Sequence, residues 1–128
     1  MTKAGRLTKR SEFLAARRGR RLNGPYFFIE TLVRGDDEPP RFGLTVTKKV
    51  GNAVARNRIR RRLREAIRTA AGSEMRNGVD YVIVARRDVL NVAFVTLKDE
   101  LSRRFSRFDP AKSGPSKNQR QDASASEV

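Results

Sequence analysis

The sequence predicts a single-domain α+β fold, and three observations support this prediction. The chain has 128 residues, which suits one hydrophobic core and leaves no room for a second sizeable core. Segments 26–33, 41–48 and 80–86 are rich in β-forming residues and are typical of strands. Segments 52–71 and 90–108 carry apolar residues three and four positions apart, the spacing of amphipathic helices.

The N-terminal segment, residues 2–23, is strongly basic and contains a short predicted helix. Eight lysines and arginines accompany a single acid, Glu12. Thr8 is a suitable N-cap, so we expect a helix from there to about Arg18, where a glycine follows.

The strands at 26–33 and 41–48 are separated by a six-residue acidic turn, so we expect them to form an antiparallel pair. In the second strand, alternation puts large apolar side chains on one face and small or polar residues on the other. The two sets are Phe42, Leu44 and Val46, and Gly43, Thr45 and Thr47. A small, polar sheet face favours a surface that is open to a ligand.

The remaining elements follow in order. We expect an arginine-rich helix at 52–71, with Gly72 as its stop. Segment 80–86 is nearly continuous in apolar residues, which predicts a central strand. The regular apolar stripe from Leu90 to Phe108 predicts a helix that faces the core.

The C-terminal segment, residues 110–128, has no periodic apolar pattern. We therefore expect a disordered polar tail that follows a folded domain of residues 1–109.

The composition excludes several classes of functional site. The formal net charge is +15, and the chain contains no His, Cys or Trp. These absences exclude a His general base, a Cys or Ser–His nucleophile, zinc sites with His or Cys ligands, a disulfide scaffold, and haem or iron–sulfur centres. No apolar run approaches the roughly 20 residues of a membrane span, and no secretory signal is evident, so we expect a cytoplasmic protein without a membrane partner. The high positive charge predicts a polyanionic partner, most commonly nucleic acid.

The helix at 52–71 has one apolar face and one strongly basic face. Positions 56 to 68 contain seven arginines and a single acid, Glu65. On a helical wheel, the stripe about 100° wide that suits a core-facing helix consists of Ile59, Leu63, Ala66, Ile67 and Ala70. The opposite face consists of Asn57, Arg60, Arg61, Arg64 and Arg68. Because adjacent like charges destabilise a helix and guanidinium groups bind phosphate in a bidentate manner, this face predicts nucleic-acid binding.

The run RFGLTVTKKVGNAVARNRIRRRLREAIR, residues 41–68, closely resembles the signature of the protein components of bacterial ribonuclease P. The core of this signature is the RNR box at Arg56, Asn57 and Arg58. The basic RLTKRSEF segment, the YVIVARR strand and the last amphipathic helix extend the resemblance from about Arg6 to Phe108. It implies an α+β sandwich of order αβββαβα, in which the arginine helix lies in a left-handed βαβ crossover.

The resemblance also implies a function. Members are subunits of an endoribonuclease that matures the 5′ end of tRNA, and the RNA subunit performs the chemistry, so the protein alone is not catalytic. The implied partners are the ribonuclease P catalytic RNA and the 5′ leader of precursor tRNA, and no protein partner is evident. The implied cofactor is Mg²⁺, bound mainly by RNA, and no residue of the chain is assigned as catalytic or as a metal ligand.

Two groups of residues match positions with roles in the family. Docking on the catalytic RNA is implied for Arg56, Asn57, Arg58, Arg60, Arg61, Arg64 and Arg68. Leader binding is implied for a cleft between the first helix and the sheet, with Phe13 as its aromatic residue. Arg17 and Glu30 occupy cleft positions that are aromatic in some members. The neighbouring candidates are Phe28, Thr45, Thr47, Lys48 and Arg86, and a purely structural core role for Phe28 stays open.

Composition alone equally favours a structural RNA-binding protein of the ribosomal type. A self-sufficient metal-dependent nuclease would need clustered carboxylates, and the acids outside the turn at 35–40 show no such spacing.

Overall fold

A computed structural model describes residues 4–69 and 71–108 of the chain. The strands are β1 (Gly5–Arg6), β2 (Arg20–Asn23), β3 (Phe27–Val33), β4 (Arg41–Thr45) and β5 (Val79–Ala85). The helices are α1 (Arg10–Ala16), α2 (Ala53–Thr69) and α3 (Phe94–Arg107). Short 3₁₀ turns lie at Lys48–Val50, Ala71–Glu74 and Arg87–Leu90.

The strands form a single sheet of order β1-β4-β5-β3-β2. As predicted, the apolar strand β5 is central. It pairs antiparallel with β3 and parallel with β4, so α2 lies in a crossover between two adjacent parallel strands. This mixed architecture agrees with the fold class that the sequence predicts, with the two-residue strand β1 as an addition.

The predicted antiparallel pair of β3 and β4 is wrong, because β5 lies between them. Ile83 of β5 is opposite Ile29 on one side and opposite Leu44 on the other. Both faces of β5 are buried, which requires a position inside the sheet. The acidic turn therefore joins two strands that are not neighbours.

The edge strands β1 and β2 were not located by the residue pattern. Both are short and mostly exposed, and β2 has the sequence RRLN, which lacks a buried periodicity. Strand β2 forms because β3 offers it an antiparallel partner, and the Thr31 hydroxyl donates a hydrogen bond of 2.8 Å to the carbonyl oxygen of Arg20.

One face of the sheet carries the main hydrophobic core, which α2 and α3 cover. The predicted stripe of α2 is confirmed, since Ile59, Leu63, Ala66 and Ile67 are buried, while Ala70 lies outside the described residues. The stripe of the last helix is also buried, through Leu97, Leu101, Phe105 and Phe108. Tyr81 meets the rings of Phe105 and Phe108 edge-on, at centroid distances of 5.0 and 6.2 Å. Leu90 belongs to a 3₁₀ turn, so α3 starts later than predicted.

The other face of the sheet carries a smaller cluster under α1. Its buried members are Leu7, Ala16 and Val82, with Phe13, Leu32 and Val84 packed against them. Thr8 is not the N-cap, because Lys9 holds that position and α1 ends at Ala16 instead of Arg18. The Glu12 carboxylate accepts the backbone N–H groups of Thr8 and Lys9, each at 3.0 Å, and so satisfies the donors at the start of the helix.

The arginine-rich helix starts where the sequence predicts. The Asn52 side chain accepts the backbone N–H of Ala55 at 2.9 Å, as an N-cap does. The helix ends at Thr69, and Gly72 lies within a 3₁₀ turn. The predicted tail at 110–128 lies outside the described residues, so the division of the chain after residue 109 stays a prediction. In the described part, no helix has the length and apolar character needed to cross a bilayer.

Candidate nucleic-acid interface

Helix α2 presents its predicted basic residues on the side away from the core. Asn57, Arg58, Arg61, Arg64 and Arg68 are exposed, and Arg56 and Arg60 are partly exposed. We call these seven residues the arginine face. Local hydrogen bonds position some of them, since Arg60 donates to the Asn57 side chain at 3.1 Å and Arg56 donates to the Gly51 carbonyl at 3.3 Å.

Arg62 is the one arginine of this helix that the predicted site omits, and the structure gives it a different role. Its guanidinium group donates to the carbonyl oxygens of Val89 and Leu90, at 2.8 and 3.0 Å, and also to that of Val92. These carbonyls belong to the segment that leads into α3. Arg62 therefore links α2 to the loop before α3, and its role is structural.

Arg68 is the member of the arginine face that pairs with an acid. It forms an ion pair with Glu65, and both side chains are well exposed. The hydrogen bond between them lowers the pKa of Glu65 and raises that of Arg68. An exposed pair of this kind is weak, so a phosphate group can compete for the guanidinium.

A second surface lies on the sheet face that α1 covers. Of the side chains that strand alternation and register put on this face, we call five the cleft face. They are Arg21 on β2, Phe28 and Glu30 on β3, Thr45 on β4 and Val84 on β5. At one end of this face α1 packs on the sheet, and its partly buried Phe13 contacts the sheet at Gly43.

Phe28 belongs to the cleft face and to neither hydrophobic cluster. Its ring is half-buried, and the Arg21 guanidinium lies 3.6 Å from the ring centroid. Arg86 approaches the same ring at 5.8 Å. The structure thus favours a surface role for Phe28 over the core role that the sequence left open.

Arg21 is a candidate that sequence reasoning missed. It lies opposite Glu30 in the register of β2 and β3, which the residue pattern did not reveal. Burial raises the pKa of Glu30, and the positive charges of Arg17 and Arg21 act in the opposite direction. The acid of the cleft face is therefore enclosed by arginines, which reduces its repulsion of a phosphate group.

The other predicted cleft residues do not all lie beside Phe28. Thr47 and Lys48 are exposed in the segment that connects β4 to α2, beyond the end of the strand. Arg86 donates a hydrogen bond of 2.6 Å to the carbonyl oxygen of Gly24, so it also holds the loop between β2 and β3. Phe28 and Arg86 are brought together, whereas Thr47 and Lys48 lie toward the arginine helix in the chain.

A network of ion pairs fixes α1 to the sheet. The buried Asp80 carboxylate accepts hydrogen bonds from Arg41 at 2.8 and 2.7 Å and from Arg34 at 2.6 Å. Arg41 also contacts Glu12 of α1 at 3.0 Å. This network determines where α1, and with it Phe13, lies relative to the cleft face.

The two surfaces can bind anions and stack on planar groups. The arginine face offers bidentate donors for phosphate, and the cleft face offers an aromatic ring flanked by guanidinium groups. Within residues 4–69 and 71–108, no three His, Cys, Asp or Glu side chains gather in a group that could hold a metal ion.

The chain is similar in sequence to known proteins. The family model described as Ribonuclease P matches residues 1–109. The chain is 51% identical over 117 residues to the ribonuclease P protein component of Brucella suis, covering 85% of this chain and 83% of that protein. It is 50% identical over 102 residues to the ribonuclease P protein component of Gluconacetobacter diazotrophicus, covering 79% of this chain and 88% of that protein.

Solved structures show the same fold. The RNase P protein from Thermotoga maritima has a TM-score of 0.68 at 28% identity, and the match covers 78% of this chain and 93% of that one. The RNase P protein of Staphylococcus aureus has a TM-score of 0.66 at 27% identity, with coverage of 87% and 98%.

Proposed function

The chain belongs to the ribonuclease P protein family, and we propose that its two basic surfaces divide the RNA-binding work of that endoribonuclease. Ribonuclease P matures the 5′ end of tRNA, and this chain is its protein subunit. In the proposal, the arginine face binds the catalytic RNA and the cleft face binds the 5′ leader of precursor tRNA. The RNA performs the hydrolysis.

The observation that carries the proposal is the composition of the arginine face. Its arginines are exposed or partly exposed, and Arg68 is the one that pairs with an acid in the described part of the chain. Structured RNA is recognised largely through phosphates and shape, which suits a rigid row of arginines on a helix. Asn57 adds a neutral group that can reach a base edge or a 2′-hydroxyl.

The cleft face suits the binding of single-stranded RNA. Phe28 provides a stacking surface, and the guanidinium groups of Arg21 and Arg86 provide positive charge beside it. Phe13 lies on α1, Arg17 directly follows the end of that helix, and Thr45 lies on the sheet face that α1 covers. Thr47 and Lys48 then extend the path toward α2. The mechanism is electrostatic, because these residues reduce the repulsion between leader, precursor and catalytic RNA.

The proposal assigns Mg²⁺ mainly to the RNA. The described acids do not form a donor set for a divalent ion, since no group of three gathers among them. The buried carboxylate of Asp80 is already satisfied by Arg34 and Arg41. No step of the proposed mechanism depends on a metal ion held by this chain.

Reconstitution with a ribonuclease P RNA tests the proposal. At low Mg²⁺ concentration, the protein should increase 5′-end maturation of precursor tRNA by that RNA. The protein alone should leave the precursor intact. A structural RNA-binding protein would bind RNA without increasing cleavage, and cleavage by RNA-free protein would contradict the assigned division of labour.

A matched pair of variants tests the arginine face. Arg61→Ala/Arg64→Ala removes two exposed charges from α2. Arg103→Ala/Arg107→Ala removes two exposed charges from α3 and serves as the control. We expect the first variant to lose affinity for the catalytic RNA and to show a weaker dependence on salt, because fewer counterions are released. Equal losses in both variants would argue against a specific surface on α2.

A further inference from the structure

The N-terminal strand β1 directs Arg6 toward the arginine helix. In the parallel register with β4, Arg6 is opposite Phe42, a residue of the main core under α2. The next residue, Leu7, is buried on the other face, where it lies near Gly43. Because successive side chains of a strand alternate, Arg6 extends from the face of the sheet on which α2 packs.

Arg60 and Arg64 lie on that side, one helical turn apart on α2. Arg64 is exposed, but partial desolvation of its guanidinium group lowers its pKa, and the positive charges of Arg6 and Arg60 lower it further. Strand β1 therefore adds the positive charge of Arg6 on the side of the sheet that carries Arg60 and Arg64. Two elements far apart in the sequence thus bring three positive charges together.

This cluster lacks the acids that normally accompany arginines on a protein surface. Among the described residues, the ion pairs involve Arg34, Arg41, Arg68, Arg103 and Arg104, and none involves the three arginines of the cluster. In the described part of the chain, Arg60 donates to the neutral side chain of Asn57. The mutual repulsion of the three arginines is therefore uncompensated within the described part of the chain.

We propose that Arg6, Arg60 and Arg64 form a phosphate-binding site that spans β1 and α2 and holds a backbone phosphate of the catalytic RNA. The inference rests on the proposed function, because that function identifies the anion as RNA. A row of arginines on one helix approaches a phosphate from one side only. Arg6 adds a donor from the sheet edge, so the phosphate oxygens are bound from two directions.

The proposed site assigns a function to strand β1. Strand β1 has two residues and contributes little to the core, yet its pairing with β4 fixes the direction of Arg6. The RNA-binding surface then extends from the arginine face to the edge of the sheet.

The test measures the affinity of the full-length protein for the ribonuclease P RNA alone, without precursor, at several KCl concentrations. Arg6→Ala should lower the affinity about tenfold, the loss expected for one charge-assisted contact. The slope of log affinity against log salt should become less negative by about one. Arg10→Ala is the matched control, because Arg10 is also exposed in the N-terminal segment but starts α1 on the opposite side of the sheet.

Two further variants define the geometry. Arg6→Lys keeps the charge but loses the planar fork, so it should recover part of the affinity and all of the salt slope. Arg6→Ala should cost less in an Arg64→Ala background than in the wild type, because both residues bind the same phosphate. Thermal unfolding should show that Arg6→Ala is as stable as the wild type. If Arg6→Ala is less stable, Arg6→Gln is used instead in the same salt titrations.

The outcomes separate this inference from the proposed function. If Arg61→Ala/Arg64→Ala weakens binding while Arg6→Ala behaves like Arg10→Ala, the site at β1 is wrong and the arginine face stands. If neither weakens binding, the arginine face itself is wrong and the inference fails with it. Additive losses in the double variant would place Arg6 on a different phosphate and overturn the shared site.

Discussion

The ring of Phe13 lies directly against Gly43, so closely that a Cβ atom at Gly43 would come within 2.5 Å of the Phe13 Cζ atom. Gly43 is buried in strand β4, and Phe13 lies on α1. The absence of a side chain at Gly43 is therefore what allows α1 to approach the sheet and to place its ring at the end of the cleft face.

Replacing Gly43 by alanine should destabilise the protein and disturb the cleft together. The new methyl group must displace the ring, which costs about 1–3 kcal/mol. Urea unfolding measures this loss, and the affinity for precursor tRNA should fall more than that for mature tRNA. Gly5→Ala is the control, since a Cβ there meets the Arg41 Cγ atom at an ordinary 3.5 Å.

A compensating variant separates the two effects. Gly43→Ala/Phe13→Leu should recover stability, because the smaller side chain leaves room for the methyl group, but it should not recover leader affinity. Recovery of both would mean that Phe13 only packs.

Glu12 should make the attachment of α1 dependent on pH. The backbone N–H groups of Lys9 and Thr8, with further help from Arg41, lower the pKa of Glu12 below its ordinary value of 4.5. Its stabilising effect is therefore complete above pH 4.5 and is lost as the pH falls through the lower folded-state pKa. Wild type should unfold at higher urea than Glu12→Gln at pH 7, and the difference should shrink in acid.

A substitution of a different glutamate serves as the reference for this titration. Glu38→Gln changes an exposed acid in the turn before β4, so it should have a smaller effect at every pH. A difference between wild type and Glu12→Gln that is the same at low and neutral pH would show that the Glu12 charge is not responsible.

Two adjacent arginines on α2 should respond in opposite ways to truncation. Arg62→Ala removes the donors to the carbonyls of Val89 and Leu90, so it should destabilise the protein by about 2 kcal/mol. Arg61 is exposed, so Arg61→Ala should change stability by no more than about 0.5 kcal/mol. Affinity for the catalytic RNA should fall more for Arg61→Ala when both proteins are compared in their folded state. Similar affinity losses would remove the distinction between a binding arginine and a structural one.

Phe28→Ala should weaken leader binding selectively. Stacking of one base on an aromatic ring contributes about 1–3 kcal/mol, so precursor affinity should fall roughly five- to 150-fold, with little change for mature tRNA. Phe94→Ala is the matched control, because this half-buried ring also lies near a cation, Lys98, at 5.7 Å. Equal losses for precursor and mature tRNA would assign Phe28 a role outside the leader cleft.

The sequence by itself determined the helix that carries the candidate site. The period of α2 places Ile59 and Leu63 inside and Arg61 and Arg64 outside, because residues three and four apart share one face of a helix. It also determined the central strand β5, whose nearly continuous apolar run requires burial on both faces. Both are local patterns, which can be recognised without knowing which other elements pack against them.

Only the tertiary structure decided which distant residues meet. Whether β3 pairs with β4 or with β5 depends on competition between strands far apart in the chain, and β5 takes the place between them. Arg21 reaches Phe28 only through the register of β2 on β3. Arg6 lies on the side of the sheet that carries Arg64 only because β1 joins the sheet edge. Periodicity specifies the face that a side chain occupies, whereas contacts across the fold depend on strand order and register.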